Sequence, residues 1–209
     1  MAMIRCPECA ATVSDRAKAC VNCGFPLEKH LDEQVQIDAA QKFATRLGPN
    51  PDFSIGKQVA NWGGNAAIKL DADFVFGQLR SLEPGVVEIL RYKSGIQLMN
   101  SIWRSGSGVD ISFRQIVEIK QTPAEEVVRE KKSVIGRGIV GGVLLGGAAA
   151  VVGALSALDN SKLKKLMVTE LYFYDRASQR IKGIAFRGDR LPSKAFFDKV
   201  NAEKRAVVR

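Results

Sequence analysis

The pattern of hydrophobic and polar positions divides the chain into a helical stretch, a region of alternating residues and one uninterrupted apolar run. Between residues 28 and 47 apolar side chains recur at every fourth position, which predicts an α-helix that Gly48 and Pro49 end. From residue 74 onward the period falls to two, which predicts β-strands separated by short turns. A second helical pattern starts at Leu191. We therefore expect an α+β protein.

The alternating region predicts six strands, one of which is rich in charged residues. They cover residues 86–92, 96–103, 109–120, 125–132 (the charged strand), 166–175 and 180–187. A C-terminal helix follows, and Ser193 is its expected N-cap. Strands at this spacing with a single closing helix are typical of a small, partly open β-barrel capped by a helix.

The uninterrupted apolar run, residues 138–158, is 21 residues long and contains six glycines and nine valine, isoleucine or leucine residues. This length is close to the roughly 20 apolar residues that a single membrane crossing needs. Small residues recur through it at every fourth position, at Gly138, Gly142, Gly146, Ala150 and Ala154. Such a series gives a helix one smooth face, on which another helix can pack closely.

Basic residues flank the run on both sides, with Arg137 directly before it and Lys162, Lys164 and Lys165 after it. Positive flanks at both ends indicate that both ends stay on the cytoplasmic side. Because strands precede and follow the run, both ends also belong to one domain. We therefore predict a helical hairpin within residues 134–161. Each leg has about ten residues, or ~15 Å of helix, which is about half of the hydrocarbon core of a bilayer.

Two environments are compatible with this hairpin. In the first it inserts into an anionic membrane as part of a homo-oligomer, with Arg137, Lys162, Lys164 and Lys165 at the lipid headgroups. In the second it packs on the surface of its own domain or in a dimer interface. The residues predicted to insert or to self-associate are Gly138, Gly142, Gly146, Gly147 and Gly153, with the bend of the hairpin near residues 146 and 147.

All four cysteines lie near the N-terminus, in two C-x2-C pairs formed by Cys6 with Cys9 and by Cys20 with Cys23. Two such pairs make the tetrahedral four-thiolate site that structural Zn²⁺ prefers, and they leave no open position for catalysis. The N-terminus lacks the apolar run of a secretory signal, so we expect a cytoplasmic chain. In that compartment paired cysteines indicate a metal site rather than a disulfide, and a redox pair is the alternative.

These segments resemble two known groups of proteins. Residues 6–27, CPECAATVSDRAKACVNCGFPL, resemble the short zinc ribbon at the N-terminus of many bacterial proteins, in which CPxC precedes CxxCGxPL. Residues 75–205 resemble the bacterial pleckstrin-homology-like (PH-like) domains, some of which carry a Gly-rich apolar insert after Ile-Gly-Arg. This resemblance implies a binding or scaffold module, often near membranes and without catalysis. We accordingly predict a ribbon at 1–27, a helix and linker at 28–73 and a PH-like domain at 74–209 that contains the insert.

The distribution of charge bears on possible partners. Residues 162–209 carry 13 basic and 5 acidic residues, which is +8 of the net charge of +9. A basic region of this kind can face an anionic membrane, a nucleic acid or only solvent. We predict no enzyme, because the chain has a single histidine, has no cysteine outside the ribbon and lacks a P-loop.

The sequence thus predicts a non-enzymatic, membrane-associated oligomeric adaptor or effector. Its zinc ribbon docks an unidentified protein partner, and its Gly-rich hairpin inserts into a membrane or self-associates. One alternative is a soluble nucleic-acid-binding or transcription-related zinc-ribbon adaptor, and another is a soluble oligomeric scaffold. Nucleic acid is disfavoured because aromatic residues are not interleaved with the basic ones, as they are in stacking platforms.

Overall fold

Seven antiparallel strands form the main sheet of the protein, which a computed structural model describes for residues 3–47, 68–77, 79, 85–92, 94–100, 108–130 and 148–208. In chain order the elements are β1 (Met3–Arg5), β2 (Thr12–Ser14), α1 (Leu27–Leu47), β3 (Ile68–Gly77), β4 (Gly85–Arg91), β5 (Gly95–Asn100), β6 (Val109–Ser112), β7 (Ile116–Pro123), α2 (Ala124–Glu130), α3 (Ala148–Ser156), α4 (Asn160–Leu163), β8 (Leu166–Asp175), β9 (Arg180–Asp189) and α5 (Arg190–Val208). Strands β1 and β2 form a separate hairpin, and the main sheet has the order β6-β5-β4-β3-β9-β8-β7.

The main sheet curls, because its two outermost strands are consecutive in the chain. Only residues 113–115 separate β6 from β7, although these strands lie at opposite ends of the strand order. Gln115 holds this corner to β8: its carbonyl accepts the Tyr174 N–H at 2.8 Å, and its side-chain amide donates to the Tyr174 carbonyl at 3.2 Å. No ladder of hydrogen bonds joins β6 to β7 in the described part of the chain, so the sheet is not closed into a barrel; the sequence had predicted a partly open one.

One face of the curled sheet contains the main hydrophobic core. Every strand from β3 to β9 contributes at least one buried side chain to it, and Phe196, Phe197 and Val200 of α5 cover it. On β8 the alternation is regular: Leu171 and Phe173 point into this core. The C-terminal helix is therefore part of the fold, as the sequence predicted.

The opposite, outer face of β8 and β9 is covered as well. Helix α1 packs on it through Ala40, which lies against Tyr172, Tyr174 and Ile181. Helices α2, α3 and α4 pack beside it on Val168 and Ala185, through side chains that include Val127, Val151, Leu155 and Leu163. Strand β8 is thus buried on both faces, which explains why its sequence is almost continuously apolar.

Six predicted elements agree with the structure. The helix at 28–47 is α1 and the C-terminal helix is α5. The strands predicted at 86–92, 96–103, 166–175 and 180–187 are β4, β5, β8 and β9, and residues 101–103 lie outside the described residues. Ala39, Phe43 and Leu47, which belong to the apolar stripe of α1 at spacing four, pack on the sheet domain.

Two strand predictions were wrong. The charged strand predicted at 125–132 is helix α2, because Ala124 and Val127 share one helical face and are buried together in the outer cluster. The single strand predicted at 109–120 is divided into β6 and β7 by the turn at residues 113–115, where Phe113 is fully buried.

Two boundaries also differ from the prediction. Strand β3 begins at Ile68, so the boundary predicted between residues 73 and 74 falls inside a strand. Helix α5 begins at Arg190, so Ser193 is not its N-cap but a buried residue in its first turns. Ser193 lies against the end of β9, where a Cβ on Gly188 would come within 2.6 Å of the Ser193 hydroxyl oxygen.

Candidate metal centre and anchor of the apolar insert

Two matching turns carry the four cysteines. In the first, which follows β1, the Ala10 N–H donates to the Cys6 carbonyl at 2.9 Å. In the second, the Gly24 N–H donates to the Cys20 carbonyl at 2.8 Å. The residue after the second cysteine of each pair has a left-handed backbone, with φ of 59° at Ala10 and 76° at Gly24. Glycine adopts this conformation freely, whereas alanine does so at a cost.

The four sulfurs converge on one point. All four lie within 4.8 Å of one another, and the Cys6–Cys23 and Cys9–Cys20 sulfur pairs are each separated by 3.6 Å. A tetrahedral site with Zn–S bonds of about 2.3 Å has sulfur–sulfur edges of about 3.8 Å. The cysteines therefore fit a single structural Zn²⁺, as predicted.

The surroundings of the thiols favour ionisation at one cysteine and oppose it at another. The Asn22 side chain and the Ala11 backbone stabilise the Cys9 thiolate and lower the pKa of Cys9 to about 6. At Cys23 the Phe25 backbone acts in the same direction, but desolvation and the neighbouring sulfurs outweigh it and raise the pKa of Cys23 to about 12. Four sulfurs at this separation can all ionise only around a cation, which a bound Zn²⁺ supplies.

The ribbon has a very small core of its own. Cys6, Val13, Cys20 and Leu27 are its buried side chains. Leu27 is also the first residue of α1, so the ribbon passes directly into the helix that packs on the sheet. A fragment of this size buries too little apolar surface to fold alone, and metal binding supplies the missing free energy.

Four of the five glycines predicted for insertion or self-association lie outside the described residues, namely Gly138, Gly142, Gly146 and Gly147. Arg137, which was predicted to contact lipid headgroups, lies outside them as well. Gly153 lies in α3, where it is exposed, and a Cβ placed on it would meet no atom within 4 Å. Lys162, Lys164 and Lys165 are exposed at α4, directly before β8.

The described part of the insert is packed on its own domain. Val151 and Leu155 of α3 are 1% and 0% exposed, in a cluster that also contains Val127 of α2 and Val168 of β8. Residues 148–156 thus pack on their own domain. The hairpin itself stays a prediction, because the rest of the apolar run before α3 lies outside the described residues. Among the helices of the described residues, none is both long enough and apolar enough to cross a membrane.

The lysines after α3 differ in their pairing. Asp159 caps α4, where its carboxylate accepts the Lys162 N–H at 2.9 Å and lies 3.7 Å from the Lys162 ammonium. A hydrogen bond from the Ser161 hydroxyl, together with this cap, lowers the pKa of Asp159. Lys164 and Lys165 form no ion pair with any described residue and are open to an external anion.

Sequence reasoning missed a buried carboxylate on β8. Glu170 is 3% exposed, on the outer face of the sheet, and its carboxylate lies 4.0 Å from the Lys120 ammonium. Burial raises the pKa of Glu170, which Lys120 partly offsets and Glu118 reinforces. The sequence feature that could have indicated this buried carboxylate is that Glu170 is the single charged residue within the largely apolar segment LMVTELYFY.

Comparison with known protein families supports the metal centre. Residues 2–27 match the family model described as a zinc-ribbon domain. Comparisons with curated proteins and with solved structures found no significant match. The family match and the sulfur geometry together identify residues 2–27 as a metal-binding module, of a type that serves in interactions with protein or nucleic acid.

Proposed function

We propose that the protein is a non-enzymatic, membrane-associated adaptor. In this proposal the zinc ribbon docks a protein partner, and the Gly-rich insert with its basic flank binds an anionic membrane and promotes self-association. A PH-like interpretation of the second domain is supported by its seven antiparallel strands and by the C-terminal helix that covers their core.

The observation that carries the proposal is the shared anchor of the insert. Helix α2 ends at Glu130 and α3 begins at Ala148, and these two helices pack against each other on the outer face of the sheet. The two described ends of this connection, at α2 and at α3, therefore lie close together on the domain. Lys164 and Lys165 are exposed a short distance along the chain from α3, so an apolar segment and free cations belong to the same region.

The ribbon presents a surface suited to protein contacts. Val21, at the second cysteine turn, is 90% exposed, and Met3 on β1 is 62% exposed. Apolar side chains are characteristic of the buried centre of protein–protein interfaces, so these two positions are candidates for the contact with a protein partner. The exposed Gly153 on α3 supplies a smooth position at which a second copy could approach.

Flotation with lipid vesicles tests the membrane component. We expect the zinc-loaded protein to float with vesicles of phosphatidylcholine and phosphatidylglycerol, and to float less with phosphatidylcholine alone. Each lysine near an anionic surface contributes about 1 kcal/mol, so the triple variant Lys162→Glu, Lys164→Glu, Lys165→Glu should lower the partition coefficient by about 100-fold or more. A control variant with the same change in charge is Lys18→Glu, Lys29→Glu, Lys199→Glu, since these lysines are exposed elsewhere.

A second pair of variants separates insertion from surface attraction. Replacing Val143, Leu144 and Leu145 by serine keeps the length of the insert and removes its largest consecutive apolar side chains. If the insert enters the bilayer, this variant should lose at least tenfold in partitioning even onto anionic vesicles. Equal flotation of the wild type, the charge variant and the serine variant would refute the membrane proposal.

A soluble oligomeric scaffold is the second candidate, and the burial of Val151 and Leu155 in the protein's own domain favours it. It predicts a defined oligomer in light scattering without lipid, and no flotation. In that case the Val143, Leu144 and Leu145 serine variant should dissociate the oligomer, whereas the Lys162, Lys164 and Lys165 variant should leave it intact.

A further inference from the structure

A groove follows the corner at which the sheet remains open, between the C-terminal half of α1, strand β7 and the end of α5. It consists of two compartments with volumes of about 520 and 360 Å³. Phe43, Arg46 and Val117 line both compartments, so the two are continuous. Their volumes lie within the range of roughly 300–1,000 Å³ that is typical of small-molecule sites.

The larger compartment has an apolar floor beneath α1. Ala39 and Phe43 of α1 face Val117 of β7 and Ile181 of β9 across it. Phe43 also packs on Tyr174, with ring centroids 6.0 Å apart, within the cluster that holds α1 on the sheet. The floor is therefore formed by side chains that the fold itself positions.

The smaller compartment is cationic. Arg46, Arg114 and Lys204 line it, and neither guanidinium forms an ion pair with any described residue. Among the described residues that line the groove, Asp38 is the only acidic one, and it lies in the larger compartment beside Lys42. Three cations with no carboxylate among them attract an anion.

Lys204 is held at the junction of the two helices and the strand. Its ammonium donates to the Val117 carbonyl at 2.8 Å, at the point where the register of β7 against β8 shifts. Burial lowers the pKa of Lys204, an effect that Glu118 partly offsets and Arg205 reinforces. An ammonium has three donors, so a second acceptor of negative charge would stabilise this partly desolvated cation.

We propose that the groove binds a single-chain anionic amphiphile, such as a long-chain carboxylate. Its anionic head lies between Arg46, Arg114 and Lys204, and its alkyl chain occupies the apolar compartment beneath α1. The three cations require an anionic head group for charge complementarity. The apolar floor requires an alkyl chain, because a small anion or an acidic peptide would leave that floor in contact with water. This site is independent of the Gly-rich insert and of the membrane proposal.

Calorimetric titration of the full-length, zinc-loaded protein with sodium dodecanoate, below its micelle concentration, tests the proposal. We expect one dodecanoate to bind per chain, with amide chemical-shift changes at the end of α1 and at the start of β7. Two matched probes separate head from chain. Dodecyltrimethylammonium has the same chain and the opposite charge, and butanoate has the same head without the chain. Each should bind at least tenfold more weakly than dodecanoate.

Variants locate the site. Arg46 and Arg114 are exposed, so Arg46→Gln combined with Arg114→Gln should fold normally and lower the affinity for dodecanoate by about tenfold or more. Arg16→Gln combined with Lys199→Gln, at exposed positions away from the groove, should leave it unchanged. Ala39→Trp fills the apolar compartment and should abolish the advantage of dodecanoate over butanoate, with retained folding confirmed by the unaltered spectrum of the sheet.

Four outcomes would overturn the proposal. The first is that the wild type does not bind dodecanoate. The second is that dodecyltrimethylammonium binds as tightly, which would show that charge has no role. The third is that the Arg46 and Arg114 variant binds like the wild type. A glutamate-rich peptide that displaces bound dodecanoate and binds more tightly would assign the groove to an acidic protein segment, and thereby also refute the amphiphile.

Discussion

Replacing Leu155 by alanine tests whether α3 belongs to the fold or to an element that leaves the domain. Leu155 is fully buried between α2 and the outer face of the sheet, in the cluster that contains Val127, Val168 and Ala185. If α3 is a permanent part of this packing, the substitution opens a cavity in the folded domain. If α3 leaves the sheet in most molecules, the substitution has little effect on the stability of the domain.

The expected magnitude follows from the atoms removed. Leucine to alanine deletes three carbon atoms, each worth about 0.8 kcal/mol on burial, and the remaining cavity adds a further cost. Neighbouring alanines such as Ala124 and Ala185 are too small to fill the space. We expect a loss of about 3 kcal/mol in the free energy of unfolding, or about 6–12 °C in Tm for a chain of this length.

Urea unfolding monitored by the β-sheet circular dichroism signal measures this loss. Gly153→Ala is the matched control in the same helix, because it is exposed and an added Cβ would meet no atom within 4 Å. Alanine at a helical glycine should stabilise the domain by about 0.5–1 kcal/mol. A Leu155→Ala effect below about 1 kcal/mol, with Gly153→Ala equally silent, would show that α3 is not docked on the sheet.

Three further predictions concern the metal centre and β8. Ala10→Gly should relieve the strain of the left-handed backbone at φ 59° and raise the affinity for zinc about fivefold, measured in competition with a chromophoric chelator. Gly24→Ala should lower the affinity for zinc by a similar factor. An unchanged affinity in both variants would contradict the turn geometry. Removing zinc with a chelator, or the Cys23→Ser substitution, should unfold the ribbon while the amide signals of the main sheet persist, and a loss of both would contradict this division. Burial raises the pKa of Glu170 above its ordinary value of 4.5. Ionised Glu170 therefore lowers the free energy of unfolding, and this loss of stability is absent below pH 4.5 and develops as the pH rises above it. Glu170→Gln should therefore stabilise the protein more near pH 7 than near pH 4 in urea unfolding, and equal effects at both pH values would refute the explanation.

The metal centre could be predicted from the sequence because its information is local. A C-x2-C pair fixes two sulfurs through one turn, and the requirement for four ligands then joins the two pairs. Strand β8 was equally accessible, since burial on both faces leaves a long apolar segment that few other structures would contain. These features depend on neighbouring residues rather than on the topology of the chain.

The errors arose where a local pattern was weak. The turn between β6 and β7 contains neither glycine nor proline, so residues 109–120 read as one strand. The start of strand β3 was missed although its residues alternate, because the inward position 72 holds only a small alanine and weakens the apolar pattern. The outward Asp73 is a charged residue that pairs with Arg187 at 2.6 Å. Helix α2 was not recognised because most of its residues are charged and only two of its side chains, Ala124 and Val127, are fully buried.

The groove could not be found in the sequence at all. Phe43, Val117 and Lys204 come from three elements that are far apart in the chain, and only the curling of the sheet brings them together. Lys204 in particular belonged to the general positive charge of the C-terminal quarter. Its significance depends on its contact with the Val117 carbonyl, which no periodic pattern reveals.

The position of the insert explains how the sheet can accommodate so long a connection. Strands β7 and β8 are hydrogen-bonded neighbours, paired as far as Pro123 with Met167, and residues 124–165 connect them. Antiparallel neighbours need only a short turn, and lengthening a loop costs little, because closure entropy grows only with the logarithm of its length. In the described parts of this connection, α2, α3 and α4 pack on the outer face of the sheet and bury their apolar side chains there. The connection therefore does more than join two strands, because Val151 and Leu155 of α3 fill the outer cluster and contribute to the stability of the sheet.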